Sequence, residues 1–289
     1  SSAIDEKNPE LAYARKLKIP VWHRSRMLAE ILDEGNGIAI AGTHGKTTTS
    51  SILAWILYHA GLDPVFMIGG IVKNFNSNYY LGKGEHIIIE GDEYDTAFFD
   101  KGPKFLHYDP FMAILTGIEF DHADIFKDIN HVRQAFDSFI AGMSPWSTLL
   151  AYDNDQNVSD LICKSQCRVV PYGINANALW RLGAVSIDPP WTFFEVFKHR
   201  AFFGNFKTRL VGEHNLLNSL SAIAVADHLM IPAKAMATSF ETFEGIKRRQ
   251  EVRGQKSGIT VMDDFAHHPT AVEKTIQAVK ERFGDRRLV

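Results

Sequence analysis

Apolar runs that end in glycine and polar residues recur along the first half of the chain. The run at residues 37–40 leads into a glycine-rich polar loop at residues 41–46, and an amphipathic segment follows around residues 51–57. A short apolar run bounded by such a loop predicts a buried strand, and the segment after it has the apolar spacing of a helix. Residues 37–57 are therefore predicted to form a strand, a loop and a helix.

This alternation of strands and helices continues to about residue 143. Further strands are predicted at residues 65–68, 86–90 and 112–116, and a helix is predicted at residues 130–141. Alternating strands and helices form a mostly parallel sheet that is covered by helices on both faces. We therefore expect an α/β fold of the P-loop type.

Short β-rich segments replace this pattern after residue 147. Strands are predicted at residues 148–152, 168–172, 180–187, 192–198 and 201–210. Because these strands follow one another with little helix between them, we expect an antiparallel extension of the sheet. Two helices, at residues 213–229 and 233–240, come next.

Both ends of the chain resemble parts of further α/β units. The N-terminal part predicts helices at residues 10–17 and 25–33 with a short strand at residues 19–22 between them. At the other end a break at residues 254–258 precedes a strand and a helix, predicted at residues 259–263 and 269–282. A chain of 289 residues exceeds the usual size of one hydrophobic core. We divide it into domains at residues 1–36, 37–254 and 255–289.

Composition excludes several classes of protein. Hydrophobic residues make up 45% and charged residues 22% of the chain, as in ordinary globular proteins. A formal charge of -3 gives no electrostatic reason to expect a nucleic-acid partner. The sequence has no apolar run of membrane-spanning length and no signal-like N-terminus, so we predict a cytoplasmic protein without a membrane partner. Nothing in it indicates an obligate protein partner.

The loop after the first strand has the residues of a phosphate site. It contains Gly42, Gly45 and Lys46, and Thr47 follows at the start of the predicted helix. Backbone N–H groups at a helix N-terminus favour an anion, and a lysine adds positive charge. The threonine hydroxyl can contact Mg²⁺ carried by a nucleotide. The loop is shorter than the Walker pattern, and a glycine-rich turn with an incidental lysine is the alternative, but we interpret it as an ATP site.

Carboxylates follow two neighbouring predicted strands. Glu90, Asp92 and Glu93 follow the first, and Asp121 with His122 follows the second. The carboxyl ends of parallel strands meet at one edge of the sheet, where ligands of open α/β folds bind. Such oxygens beside a phosphate loop favour Mg²⁺, and an imidazole also suits Mn²⁺. The alternatives are a solvated acidic loop and a satisfied polar histidine.

Amides and an arginine complete the candidate nucleotide site. Asn215 and Asn218 are three positions apart at a predicted helix start and share a face. Each amide has a donor and an acceptor, which suits the edge of adenine, although helix capping is the alternative. Arg249 can reach a phosphate or can belong to a solvated pair with Arg248.

The last predicted strand ends in another polar cluster. Asp264, His267 and His268 follow it, and Pro269 opens the next helix. A proline at the first position of a helix is common, but helix capping does not explain two histidines beside an aspartate. These side chains are predicted to face a further cleft at a strand end.

Five motifs together resemble the Mur ligase family in identity, order and spacing. They lie at residues 42–47, 90–93, 121–122, 212–215 and 264–269. The resemblance implies a bacterial ATP-dependent ligase of peptidoglycan metabolism, which joins an amine to the carboxylate of UDP-N-acetylmuramate through an acyl phosphate. It also implies three domains, so that the flanking parts are fragments of a UDP-binding and an amino-substrate domain, both Rossmann-like. We expect the 289-residue chain alone to bind nucleotide but not to complete ligation.

Within the family, residues 90–101 and 119–126 are most similar to those of the murein peptide ligases. Those enzymes recycle cell wall by ligating a murein tripeptide. The UDP-N-acetylmuramate:L-alanine ligases, which tend to have Asp-Glu-Ser-Asp at residues 92–95, are the first alternative. A nucleotide-binding module without ligase activity and a folylpolyglutamate synthase are the others.

The resemblance also implies roles for individual residues. ATP phosphates would be bound by Gly42, Thr43, His44, Gly45, Lys46, Thr47 and Thr48, with Arg249 as a further phosphate contact. One Mg²⁺ would be bound by Thr47 and Glu90 and a second by His122, and Mn²⁺ could take the place of Mg²⁺. The catalytic residues would be Lys46, Glu90 and His122. Adenine would contact His214, Asn215 and Asn218, and the ribose would contact Asp264. The route to the sugar nucleotide would be lined by His44, His267 and His268.

Overall fold

The computed structural model describes residues 4–93, 95–97, 100–284 and 286–289. Its strands are β1 (Asn36–Ala41), β2 (Val65–Val72), β3 (Ser77–Tyr80), β4 (His86–Gly91), β5 (Asp95–Ala97), β6 (Asp100–Pro103), β7 (Met112–Leu115), β8 (Thr148–Tyr152), β9 (Arg168–Gly173), β10 (Trp180–Asp188), β11 (Trp191–Lys198), β12 (Ala201–Thr208), β13 (Glu251–Lys256) and β14 (Ile259–Asp263). Its α-helices are α1 (Pro9–Lys16), α2 (Arg24–Leu32), α3 (Lys46–His59), α4 (Ile129–Gly142), α5 (Gln156–Ile162), α6 (Glu213–His228), α7 (Ala233–Thr242) and α8 (Pro269–Phe283).

One large mixed sheet organises the central part of the chain. Its strand order is β12-β11-β10-β9-β8-β7-β1-β4-β2-β3. The strands from β10 to β2 in that order pair in parallel, whereas β11, β12 and β3 are antiparallel additions at the edges. The predicted α/β fold with a mostly parallel sheet is thus confirmed. The antiparallel extension begins later than expected, since β8 and β9 still belong to the parallel part.

The central strand β1 divides the interior into two hydrophobic cores. Ile38 and Ile40 pack with α3, α6 and α7, whereas Ala39 and Ala41 pack on the opposite face with α4 and α5. Successive side chains of a strand point to opposite faces, so a strand covered on both sides must be apolar at every position. The apolar run that predicted β1 has this arrangement, and helices cover both faces as expected.

The pairing of β1 determines where the polar residues after each strand lie. Ile40 of β1 is in register with Glu90 of β4 on one side and with Ile114 of β7 on the other. All three strands run in the same direction, so their carboxyl ends meet at one edge of the sheet. The loop into α3 starts from that edge, and Gly45 caps the helix.

Two predictions of secondary structure are wrong, and one helix was not predicted. Residues 19–22, all of them described, form no strand; Ile19 and Trp22 are exposed, and an apolar run needs a partner to be buried. The predicted break at residues 254–258 is instead the hairpin between β13 and β14, and β13 was missed because its residues are almost all exposed and polar. The short helix α5 was also missed.

Within the described residues, no helix combines the length and the apolar character that crossing a membrane requires.

Candidate active site

Two glycines shape the loop between β1 and α3. Gly42 has a φ of 126° and Gly45 a φ of 82°, a backbone region that side chains disfavour. A Cβ atom at Gly42 would overlap the side chain of Thr116, and one at Gly45 would overlap the side chain of Asn218. The loop is therefore tightly enclosed by the residues after β7 and by α6, which fixes the direction of its N–H groups.

Lys46, the first residue of α3, is nearly buried and paired with a carboxylate. Its Nζ donates to the carbonyl oxygen of Gly42 at 2.6 Å and to Oε2 of Glu93 at 2.8 Å. The side chains of Lys46 and Glu93 are only 12% and 2% exposed. Burial alone would lower the pKa of Lys46, but Glu93, Asp92 and Glu90 outweigh it and raise that pKa. Lys46 is thus a fixed positive charge at the loop.

Thr47 and Glu90 bring oxygen atoms together beside this charge. Oγ1 of Thr47 donates to Oε2 of Glu90 at 3.3 Å, and the N–H of Gly69 donates to Oε1 of Glu90 at 2.6 Å. Burial raises the pKa of Glu90, although the Gly69 N–H and the Lys46 charge oppose that shift. A divalent cation favours the ionised carboxylate. Since a hydroxyl and a carboxylate are hard oxygen ligands, the pair fits Mg²⁺.

Glu93 also faces His122. Oε1 of Glu93 lies 3.9 Å from Nε2 of His122. This carboxylate oxygen is buried, and no described residue donates a hydrogen bond to it. Next to His122, burial would raise the pKa of Asp121, but the His122 N–H at 2.7 Å and the neighbouring histidines lower it. A buried acceptor oxygen opposite an imidazole nitrogen fits a second cation.

The first turns of α6 present neutral polar groups. Asn215 and Asn218 are buried, and Nδ2 of Asn215 donates to the carbonyl oxygen of Val211 at 2.8 Å. Burial lowers the pKa of His214 to about 4, so its imidazole is neutral at neutral pH. These side chains can hydrogen-bond to a base but contribute no charge.

Arg249 and Asp264 approach the cavity from the C-terminal segment. Asp264 accepts hydrogen bonds from the backbone N–H groups of Gln250 and Ala266, both at 2.7 Å. The guanidinium of Arg249 lies 5.2 Å from the ring centroid of Phe265. Burial lowers the pKa of Arg249, and nearby carboxylates oppose this shift. An arginine stays charged in proteins, so this is a half-buried cation.

His44 and His268 meet at Glu119, whereas His267 contacts Phe265. Nε2 of His44 is 3.6 Å and Nδ1 of His268 is 3.7 Å from Oε2 of Glu119. The two ring centroids are 4.7 Å apart. His267 is exposed, and its Nδ1 lies 3.0 Å from the carbonyl oxygen of Phe265. The structure therefore pairs two of the three histidines that the sequence grouped together.

One cavity collects the side chains that the sequence singled out. Its lining includes Thr43, His44, Gly45, Lys46, Thr47, Thr48, Glu90, His122, His214, Asn215, Asn218, Arg249, Asp264, His267 and His268. Gly42 does not line it, because it packs against Thr116 at the base of the loop. The cavity thus lies at the edge where β1, β4 and β7 end, with α6 and the residues after β14 as further walls.

Family models match nearly the full length of the chain. The Mur ligase middle domain matches residues 40–226, which is more than half of it. The Mur ligase glutamate ligase domain matches residues 248–289, and the Mur ligase family catalytic domain matches residues 1–35. The chain belongs to the Mur ligase family.

Curated relatives of this Mur ligase chain carry the name UDP-N-acetylmuramate--L-alanine ligase. The protein from Anaeromyxobacter sp. (strain Fw109-5) is 38% identical over 286 residues, which cover 99% of this chain and 61% of the relative. The protein from Myxococcus xanthus (strain DK1622) is 40% identical over 290 residues, which cover 100% of this chain and 60% of the relative. The chain thus spans about three fifths of the length of these relatives.

Solved structures of two kinds of Mur ligase resemble the fold. A murein peptide ligase from Psychrobacter arcticus 273-4 is 32% identical with a TM-score of 0.78, and the match covers 99% of this chain and 63% of that one. A UDP-N-acetylmuramate-alanine ligase from Thermotoga maritima is 26% identical with a TM-score of 0.81, and the match covers 98% and 63%. The family prediction is confirmed, while the narrower similarity to murein peptide ligases stays a prediction.

Two carboxylates of the site were not assigned a role from the sequence. Glu93 was noted only as part of an acidic segment, yet it is the partner of Lys46. Glu119 was noted only as part of a motif, yet it lies between His44 and His268. Both glutamates follow strands that apolar runs predict, and this was the available signal that they lie at the site. Which acid faces which basic residue depends on tertiary contacts, which the sequence does not show.

Proposed function

We propose that this Mur ligase is an ATP-dependent enzyme that joins the carboxylate of UDP-N-acetylmuramate to an amine. The observation that carries the proposal is a single cavity lined by the glycine loop, by Lys46 held against Glu93, and by Glu90 beside Thr47. The substrate is taken from the relatives, whose names include UDP-N-acetylmuramate.

The first step would activate the carboxylate. An amine cannot displace oxide from a carboxylate, so the carboxylate oxygen first attacks the γ-phosphorus of ATP. The bond between that phosphorus and the β,γ-bridging oxygen breaks, which gives an acyl phosphate and ADP. Lys46 and the N–H groups of residues 44–47, which line the cavity, would hold the β- and γ-phosphates in line and balance the negative charge that moves.

The second step would form the amide. The amine nitrogen attacks the acyl carbon, and the carbon–oxygen bond to the phosphate breaks. The departing phosphate takes the bonding electrons and one proton from the amine. His44 and His268 lie at the wall of the same cavity, and we propose that they and His267 line the route to the sugar nucleotide.

Metal ions would be held by the oxygen-rich side of the loop. Thr47 and Glu90 are the proposed ligands of one Mg²⁺, and His122 with the adjacent oxygen of Glu93 would serve a second, where Mn²⁺ also fits. When bound, these ions neutralise charge on the phosphate oxygens.

The nucleoside would lie against α6. Nδ2 of Asn215 is engaged by Val211, so its Oδ1 would accept from the amino group of adenine. Asn218 and the neutral His214 would complete the base contacts. Asp264 would bind the ribose, and the half-buried guanidinium of Arg249 would contact phosphate.

We propose L-alanine as the amine. The curated relatives named as L-alanine ligases are 38% and 40% identical to this chain. A murein tripeptide is the second candidate, since a solved murein peptide ligase is 32% identical and the solved L-alanine ligase from Thermotoga maritima is 26% identical. The domain division at residues 1–36, 37–254 and 255–289 and the cytoplasmic location belong to the same proposal.

The test is an assay of ADP and phosphate release by the protein expressed from its complete gene. We expect release only when UDP-N-acetylmuramate and an amine are both present, and a comparison of L-alanine with L-alanyl-γ-D-glutamyl-diaminopimelate identifies the amine. Lys46→Ala should abolish release. Nucleotide binding without any release under all substrate combinations would identify a binding module and overturn the proposal.

A further inference from the structure

Two histidines and a glutamate converge between the loop and the start of α8. The atoms concerned are Nε2 of His44, Oε2 of Glu119 and Nδ1 of His268, and all lie within 4.8 Å of one another. The distances from the carboxylate oxygen are 3.6 Å to His44 and 3.7 Å to His268. These atoms come from three separate parts of the chain, so the fold brings them together.

Neither imidazole nitrogen has a hydrogen-bond partner. Nε2 of His44 and Nδ1 of His268 are both buried, and no described residue bonds to either atom. Buried polar atoms normally have a hydrogen-bond partner, and an exception points to a bound water or ion. Both of these nitrogens face the same oxygen, Oε2 of Glu119, so a single bound ion could contact all three atoms.

The spacing suits a shared cation better than direct hydrogen bonds. An N–H···O bond has a donor–acceptor distance of about 2.7–3.2 Å, which is shorter than either separation here. Ligands about 2.0–2.1 Å from a tetrahedral ion lie roughly 3.3–3.5 Å from one another. Distances of 3.6 and 3.7 Å are close to that value.

The surroundings of His268 and Glu119 orient them for such a role. Nε2 of His268 lies 3.1 Å from the carbonyl oxygen of Phe120, which can only accept, so Nε2 carries the proton and Nδ1 offers its lone pair. Oε2 of Glu119 accepts from Oγ1 of Thr270 at 2.6 Å. A metal-binding histidine usually donates its other N–H to a carbonyl or carboxylate, and a metal-binding carboxylate is itself hydrogen-bonded.

We propose that His44, Glu119 and His268 form a binding site for a Zn²⁺ ion. Two imidazoles and one carboxylate are a zinc ligand set that leaves a fourth position open, whereas Mg²⁺ prefers oxygen ligands. The site shares no ligand with Thr47, Glu90 or His122, and it goes beyond the proposed function.

Zinc at this site would connect two parts of the fold. His44 belongs to the loop before α3, and His268 belongs to the segment matched by the glutamate ligase domain model. A bound ion would fasten this segment to the loop and raise the stability of the arrangement.

The experiment is calorimetric titration of Zn²⁺ into the tag-free, chelator-treated chain in excess Mg²⁺ and without nucleotide. We expect one saturable equivalent, together with a zinc-dependent rise in Tm. Co²⁺ should bind in its place and give the visible absorption of a tetrahedral ion. His268→Ala and Glu119→Gln should each weaken binding by about 100-fold and remove the rise in Tm.

Two control variants test whether zinc binds at this site and not at a nearby histidine or cysteine. His267→Ala, which changes the adjacent and exposed histidine, and Cys163→Ser, which removes an exposed thiol, should both keep full affinity. Circular dichroism without zinc checks that each variant is folded, and His44→Ala replaces any variant that is not. Absence of saturable binding to the unchanged chain, or undiminished binding by the folded ligand variants, would overturn the proposal.

Discussion

Oε2 of Glu93 lies 2.8 Å from Nζ of Lys46, and the carboxylate is only 2% exposed. The cation at the loop therefore also compensates a buried negative charge. Removing one partner of a buried ion pair destabilises the fold, because the remaining charge is then neither hydrated nor paired. The residue proposed to bind phosphate is thus also part of what stabilises the fold.

Lys46→Met should lower the free energy of unfolding by about 3–5 kcal/mol, because it leaves the buried charge of Glu93 without its ion-pair partner. The double variant Lys46→Met/Glu93→Gln should regain most of that loss, since no unpaired carboxylate remains. Chemical unfolding of the two single variants and the double variant forms the cycle that measures the coupling. Simple additivity of the two single effects would show that the pair contributes no mutual stabilisation.

Glu90→Gln should make the folded chain more stable and weaken its Mg²⁺-dependent binding of ATP. Burial raises the pKa of Glu90 above the usual 4.5, so the ionised carboxylate destabilises the fold at neutral pH. That cost disappears as the pH falls through the raised pKa, because Glu90 then takes up a proton. The glutamine should therefore unfold at a higher denaturant concentration at neutral pH, with the advantage shrinking on acidification.

The same variant tests the metal role of Glu90. Glutamine can still accept the bond from Gly69, so the local backbone should be preserved. Mg²⁺-dependent ATP binding, measured by calorimetry, should nevertheless fall at least about tenfold because the anionic ligand is gone. Equal Mg²⁺ dependence in both proteins would contradict the assignment.

His214 should make the chain sensitive to acid. Its pKa in the folded chain is about 4, below the ordinary 6.5, so the unfolded chain takes up a proton first. Stability is unaffected by His214 above pH 6.5 and is lost progressively as the pH falls from 6.5 to about 4. His214→Gln should flatten that part of the pH profile of Tm, with His199→Gln, on the exposed turn before β12, as the control.

Gly45→Ala should damage the nucleotide site as well as the fold. The residue has a φ of 82°, and the added methyl group would overlap Asn218. Gly61 has the same φ of 82° but no atom within 4 Å of a built Cβ, so Gly61→Ala isolates the backbone strain, which is about 1–2 kcal/mol. We expect Gly45→Ala to cost more than Gly61→Ala and to be the one that loses ATP binding in calorimetry.

Much of the sheet could be predicted because its central strands are buried on both faces. β1 and β4 each contain a continuous apolar run that leads into polar residues, so both the strands and the edge that carries the site were visible in the sequence. Residues 19–22 are apolar too, but their side chains are exposed. β13 pairs through its backbone while almost all of its side chains are exposed, so its residue pattern gave no signal.

The pairing of charges inside the site could not be predicted. Three acids stand close together at the end of β4 and just after it, and only the path of the chain decides that Glu93 faces Lys46 while Glu90 faces Thr47. In the same way, the two adjacent histidines before α8 are equivalent in sequence. A hydrogen bond from His268 to the carbonyl of Phe120 separates them in the structure.

The link between the large sheet and β13 has a mechanical consequence. Residue 246 bridges to Val72, and the N–H of Lys247 donates to the carbonyl oxygen of Ile71 at 3.0 Å, so this stretch is hydrogen-bonded to β2. The chain leaves the sheet at residues 248–250, where Arg248 and Gln250 both have a positive φ. A rotation of β13, β14 and α8 would have its axis there, with Arg249 on it. A rotation of β13, β14 and α8 would therefore also reorient the guanidinium of Arg249.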